Sequence, residues 1–244
     1  LPFTQKVKHV YQKGAKALRK DLSEIYNIAL DGPAGSGKST VAKAIAKDYN
    51  ILYLDTGAMY RACGLKALRL GYNPKDKAAV ERMLPDLDIK VEYSEGKQHT
   101  ILDGEDVSSA IRENAVSMAA SNISAHSAIR IKMVELQRQI AKSMSCVLDG
   151  RDIGTAVLPN AKFKFFITAD SKVRAERRYK ELTARGEKVD FDKLHQEIIL
   201  RDKQDSEREF SPLACADDAI VIDTSNKTIE EVVALIKKYV QEKI

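Results

Sequence analysis

The sequence predicts an α/β protein: a five-stranded parallel sheet with helices on both faces, interrupted by a small antiparallel β insertion and carrying a helical lid. Three observations lead there. Short apolar runs recur at residues 26–30, 51–54, 146–148, Phe163–Thr168 and 219–222. Amphipathic stretches of helical period separate them, and near-continuous apolar strands interleaved with such helices mark a sheet covered on both faces. One stretch breaks the rhythm: residues 88–93 and 99–102 flank Ser94-Glu95-Gly96-Lys97, which reads as a hairpin.

Taken in order, residues 1–24 come first. They carry six Lys/Arg against two acids, while the remaining chain has 34 against 33, so the net charge of +5 sits mostly in this arm. Val7, Val10, Leu18 and Leu22 recur at roughly helical spacing among lysines. A solvated basic extension is expected, with a membrane-surface or RNA-binding helix as the alternative. A nucleic-acid-binding body would spread its basic excess over the folded surface, so nucleic acid is not an expected partner. The chain opens at Leu1, and no signal peptide is expected, because the arm lacks a continuous apolar core followed by small residues.

Residues 25–82 and 109–244 then read as the core and residues 83–108 as an inserted subdomain. Helices are expected from about Lys38, over residues 58–70 and over residues 229–239. At 244 residues and 44% apolar content the chain can bury a substantial core. No apolar run is long enough for a helix to cross a bilayer. Cys63, Cys146 and Cys215 are widely spaced and odd in number, which suits a reducing cytoplasm and offers no zinc framework.

Gly32-Pro33-Ala34-Gly35-Ser36-Gly37-Lys38-Ser39 satisfies GxxxxGK[ST] between an apolar strand and a helix. Its glycines let backbone N–H groups converge on phosphate oxygens, and the helix that follows points its positive end at the same anion. Lys38 is expected to bridge the β- and γ-phosphates of ATP, and Ser39 to ligate the accompanying Mg²⁺. The motif alone does not say where the phosphate goes. No guanine-reading Asn-Lys-x-Asp is present, since Asn226-Lys227 runs into Thr228-Ile229.

Arginine-centred motifs supply what an anionic acceptor needs. Asp55-Thr56-Gly57-Ala58-Met59-Tyr60-Arg61 follows the second strand, and Asp149-Gly150-Arg151-Asp152 follows the third. Carboxyl ends of strands in such sheets form the ligand crevice. Arg201, Asp205 and Arg208, at spacings of four and three, share one helix face. The charged stretch holding Arg177, Arg178 and Arg185 lies in a candidate lid of residues 171–208 that would fold over ATP, with Arg177 and Arg178 as its contacts.

With these motifs in place the sequence resembles the bacterial cytidylate kinases, members of the nucleoside monophosphate kinase group. The likeness runs from about Asn27 to the end and includes residues 32–40 (through Thr40), 54–61, 102–107, 149–155 and the Arg201/Asp205/Arg208 set. The first 24 residues have no counterpart in it, and Thr56 stands where some members carry Ser. The resemblance implies transfer of phosphate from ATP to CMP or dCMP, a monomer, and a hairpin insertion that enlarges the monophosphate site. It implies that Arg61, Arg151 and Arg208 hold the CMP phosphate, since planar guanidinium groups suit bidentate phosphate contacts. It gives Arg201 and Asp205 the sugar hydroxyls, and Thr56, Ser121, Arg130 and Asp152 the cytosine. A carboxylate accepts from the cytosine amine where uracil would present an acceptor. Lys38, Arg151 and Arg208 are the expected catalytic residues. The rival readings are a UMP or AMP kinase of the same group, or a non-enzymatic nucleotide- or RNA-binding protein.

Overall fold

A computed structural model describes residues 25–94 and 96–243; the basic arm lies outside the described residues. In chain order the strands are β1 (Asn27–Asp31), β2 (Leu52–Asp55), β3 (Ile89–Ser94), β4 (Lys97–Leu102), β5 (Glu105–Asp106), β6 (Cys146–Asp149), β7 (Phe163–Thr168) and β8 (Ile220–Asp223). The α-helices are α1 (Lys38–Tyr49), α2 (Thr56–Arg69), α3 (Lys77–Met83), α4 (Asn114–Ile123), α5 (Ser127–Ser143), α6 (Ser171–Ala184), α7 (Phe191–Ser206) and α8 (Ile229–Lys243).

The main sheet has the five parallel strands expected, and they run in the order β2-β6-β1-β7-β8. Ile28 lies opposite Phe163 and Asp31 opposite Phe166, while Phe165 lies opposite Ile220. The order departs from sequence on both sides of β1, so the loop after β1 occupies a topological switch point, where such sheets bind ligands. That loop is the glycine-rich one. β3, β4 and β5 form a separate antiparallel sheet, and the third strand is an addition to the expected hairpin.

The chain divides into two compact units, one built on residues 50–146 and the other on residues 26–49 and 147–244. In the second unit Ile28, Ala29 and Leu30 of β1 are fully buried. α1 buries Val41, Ala42 and Ile45 and packs on α8, which buries Val232, Ile236 and Val240. α8 opens on a capping box: Thr228 Oγ1 accepts from the Glu231 amide at 3.2 Å, and Glu231 Oε2 accepts from the Thr228 amide at 2.8 Å. α6 and α7 pair through Ala175, Leu182, Leu194 and Ile198, each helix capped by the aspartate before it, Asp170 and Asp190.

In the first unit α2 and α4 pack closely. Gly64 permits it, since a Cβ there would lie 2.8 Å from the Ala120 nitrogen and 3.0 Å from the Ala119 carbonyl carbon. The three-stranded sheet is held to the rest of this unit by polar contacts. The Asp55 amide donates to Gln98 Oε1 at 2.8 Å, and Tyr93 Oη donates to the Tyr53 carbonyl at 3.0 Å. Lys66, buried in α2, pairs with Asp103 at 2.8 Å and donates to the Asp86 carbonyl.

Candidate active site

In the second unit the loop after β1 is shaped by its glycines. Gly32 has φ +140°, and a Cβ there would lie 2.0 Å from the Ile167 carbonyl oxygen, so no other residue fits. Gly37 has φ +88°, and its carbonyl accepts from the amides of Thr40 and Val41 as α1 begins. Ser39 and Thr40 are exposed at that helix start, and Ser39 Oγ donates a short hydrogen bond to Asp149 Oδ2.

Lys38 is 4% exposed and folds back on its own loop, its Nζ donating to the Pro33 carbonyl at 2.7 Å. Ser36 Oγ donates to the same carbonyl at 3.0 Å. Burial and the nearby Arg151 charge pull the Lys38 amine down to about 7, against Asp149, Asp31 and Asp205, which favour its charged form. Such an ammonium lacks a close anion in its own loop, and a polyphosphate would supply one. Asp31, at the end of β1, is pushed up to about 7 by burial, although two backbone amides pull the other way.

The turn after β6 carries Arg151 and Asp152. Arg151 Nε donates to Asp205 Oδ2 at 3.0 Å, and Arg208 Nη1 lies 3.7 Å from Asp205 Oδ1. Burial would lift the Asp205 carboxyl, but Arg151, Arg201 and Arg208 outweigh it and hold that carboxyl below its usual range. Three of the expected arginines therefore converge on one buried carboxylate. Asp152 is 4% exposed.

The expected lid residues differ in their surroundings. Arg177 donates to Thr224 Oγ1 at 3.1 Å and to the Thr224 carbonyl at 2.6 Å. Thr224 Oγ1 lies 3.0 Å from the Ser36 carbonyl, which links Arg177 to the phosphate loop. Arg178 bonds Glu181 on its own helix at 2.8 Å. The residue that the sequence reading missed is Arg174. It is 4% exposed, donates to the Ala34 carbonyl in the loop at 3.1 Å, and grips Asp202 of α7 with two hydrogen bonds of 3.1 and 2.5 Å. Asp31 and Thr224 were likewise missed, and Asp149 was read only as the start of the turn motif after the third strand, with no role of its own.

In the first unit Asp55 caps α2, accepting from the Ala58 amide at 2.9 Å. Arg61 reaches back to its other oxygen at 2.9 Å, and Arg112 lies 3.6 Å away. Burial would raise the Asp55 carboxyl, but the two guanidinium groups hold it below its ordinary value. Thr56, the first residue of α2, is buried. Arg130 is 1% exposed, donates to the Ser124 carbonyl at 3.3 Å and stacks 5.3 Å from the Tyr60 ring centre. Ser121 Oγ and Arg61 Nε are buried with no hydrogen-bond partner among the described residues. Buried polar atoms left unsatisfied cost free energy, so these two suit a polar ligand.

A family model for cytidylate kinase matches residues 28–242. The chain belongs to the cytidylate kinase family. A cytidylate kinase from Caldicellulosiruptor bescii is 48% identical over 206 residues, covering 84% of this chain and 91% of that one. One from Pediococcus pentosaceus is 48% identical over 216 residues, covering 88% and 96%. One from Halalkalibacterium halodurans is 45% identical over 218 residues, covering 89% and 98%. The family match begins inside β1 and spans the phosphate loop, the β3–β5 sheet and both charged helices.

Proposed function

We propose that this chain transfers the γ-phosphate of ATP to CMP or dCMP, giving ADP and CDP or dCDP. The observation that carries the reading is the buried cluster in which Asp205 gathers Arg151, Arg201 and Arg208 in the same compact unit as the phosphate loop. Arginines held in place by a carboxylate before any substrate binds are preorganised for an anion, and phosphoryl transfer depends mainly on positioning and charge stabilisation.

In the second unit, Gly32, Pro33, Ala34, Gly35, Ser36, Gly37, Lys38, Ser39 and Thr40 cradle the ATP phosphates, and Arg177 and Arg178 belong to a lid of residues 171–208. Arg151 and Arg208 hold the CMP phosphate, Arg201 and Asp205 the sugar hydroxyls, and Asp152 accepts from the cytosine amine. In the first unit, Arg61 serves the phosphate and Thr56, Ser121 and Arg130 the cytosine, with residues 83–108 as the monophosphate insertion. The CMP phosphate is itself the nucleophile, so no general base is needed. Lys38, drawn back onto Pro33 in the free protein, swings to the transferring phosphoryl group.

The residues present fit Mg²⁺ arriving with ATP. Ser39 Oγ and Asp149 Oδ2 are adjacent hard oxygen donors, and Mg²⁺ typically takes one or two such groups plus phosphate oxygens. When bound it would neutralise charge on the phosphates. Cys63, Cys146 and Cys215 form no disulfide among the described residues; a reducing cytoplasm and a monomeric chain are part of the proposal. Among the described residues no helix is long and apolar enough to cross a membrane.

The test is Asp152→Asn with CMP and UMP. An unpaired buried acceptor costs roughly 1–3 kcal/mol, so the wild type should favour CMP about tenfold to a hundredfold and the variant much less. An unchanged CMP-to-UMP ratio would remove Asp152 from base recognition.

A further inference from the structure

Asp152 stands directly before a single wide helical turn, Ile153–Val157. Its carbonyl accepts from the amides of Ala156 at 2.8 Å and Val157 at 3.1 Å, so its backbone already belongs to that turn. An aspartate in this place ordinarily folds its side chain over the first amides of the turn that it opens. Asp152 makes no such hydrogen bond. The amides are met by a residue far away in sequence. Asp31 Oδ1 accepts from the Ile153 amide and Asp31 Oδ2 from the Gly154 amide, both at 2.7 Å.

The arrangement is close and dry. Asp31 and Asp152 are each 4% exposed. A Cβ on Gly154 would lie 3.3 Å from Asp31 Oδ2 and 3.2 Å from Lys164 Cδ, so the carboxylate rests against the turn itself. Both oxygens of one carboxylate engage two adjacent donors, which fixes position and angle together. Asp31 also ends β1, so the contact joins the strand that bears the phosphate loop to the turn that bears Arg151 and Asp152.

We propose that Asp31 is a positioning residue for base selection: by capping the turn that Asp152 opens, it keeps the Asp152 carboxylate for the nucleobase. The inference rests on the proposed reading of Asp152. Without Asp31, the amides of Ile153 and Gly154 would be buried donors in need of an acceptor, and the Asp152 carboxylate is the neighbour able to fold onto them. The base would then lose its acceptor although Asp152 itself is intact.

The experiment is Asp31→Asn in the full chain, with steady-state kinetics for CMP and UMP at saturating ATP and for ATP at saturating CMP or UMP. Asparagine keeps the size but turns its amide group toward one backbone N–H, donor against donor. The expected result is a fall in kcat/KM for CMP of roughly tenfold to a hundredfold and a smaller fall for UMP; any rise in the KM for ATP is the same with either acceptor, because the lost Asp31 charge also favours the charged form of Lys38. Equal losses for CMP and UMP would overturn the proposal. Backbone hydrogen exchange of the wild type gives a test that does not depend on the variant folding. The Ile153 and Gly154 amides should be strongly protected, and exchange at the rate of an open loop would overturn the capping. A wild type that turns over UMP as readily as CMP would refute the reading of Asp152, while the exchange measurement would still decide the capping.

Discussion

Replacing Asp205 by Asn should destabilise the protein and make its stability depend on added anion. Asp205 is 4% exposed, with Arg151 Nε at 3.0 Å and Arg208 Nη1 at 3.7 Å, and Arg201 adds a third positive charge. Removing one partner of a buried ion pair costs about 3–5 kcal/mol, because the remaining charge stays uncompensated. The Asn carbonyl can still accept from Arg151, which restores about 1 kcal/mol. The net loss should be about 2–4 kcal/mol. With a urea m-value near the top of its usual range, that lowers the unfolding midpoint by about 1 M. The assay is urea unfolding at pH 7.5, with and without inorganic phosphate. Phosphate should recover part of the variant's loss, since the arginines then have an anion again, and should help the wild type less. The acid limb gives a second readout. The folded Asp205 carboxyl lies below its unfolded value, so its contribution is present above about pH 4 and is lost as pH falls through the folded value. The variant should lack that part of the acid loss. A midpoint equal to wild type, with no response to phosphate, would refute the cluster as a preformed anion site.

Three further outcomes follow from other parts of the molecule. Lys38 titrates near 7 in the free protein, so ATP binding should take up a proton and weaken as pH rises through 7 to 8.5; calorimetry in buffers of different ionisation enthalpy measures the uptake, and none at pH 8 would contradict it. Lys38→Met should abolish that pH dependence together with most of the activity. Gly64→Ala should lower stability by about 1 kcal/mol, since overpacking of about 1–3 kcal/mol against the α4 backbone exceeds the roughly 1 kcal/mol gain in helix propensity; a more stable variant in urea unfolding would show that α2 and α4 can part freely.

The sheet and the phosphate loop were legible because their signals are local. β1, β2, β6, β7 and β8 each rise from a short apolar run, and the loop is a contiguous motif whose glycines take positive φ at positions 32, 35 and 37. The helix face expected for Arg201, Asp205 and Arg208 holds only the first two, because α7 ends at Ser206 and Arg208 follows the Glu207 cap; Arg208 still comes within 3.7 Å of Asp205. What escaped depends on partners distant in sequence. Asp31 meets amides 122 and 123 residues away, and Arg174 meets a loop carbonyl 140 residues away. Arg174 also sits in a helix so charged that its sequence reads as a solvated surface, yet it is buried beneath Asp202. β5 was invisible because two residues, Glu105 and Asp106, carry no alternation. The burial of Lys38 against Pro33 likewise belongs to the folded loop and not to the motif.

The central claim is best tested by one coupled assay of ADP formation from ATP and Mg²⁺ with CMP, dCMP, UMP and AMP in parallel. The account predicts rapid turnover of CMP and dCMP, UMP slower by about tenfold to a hundredfold, and little ADP without an acceptor. Turnover of UMP or AMP faster than CMP, or ADP formation indifferent to any monophosphate, would contradict it.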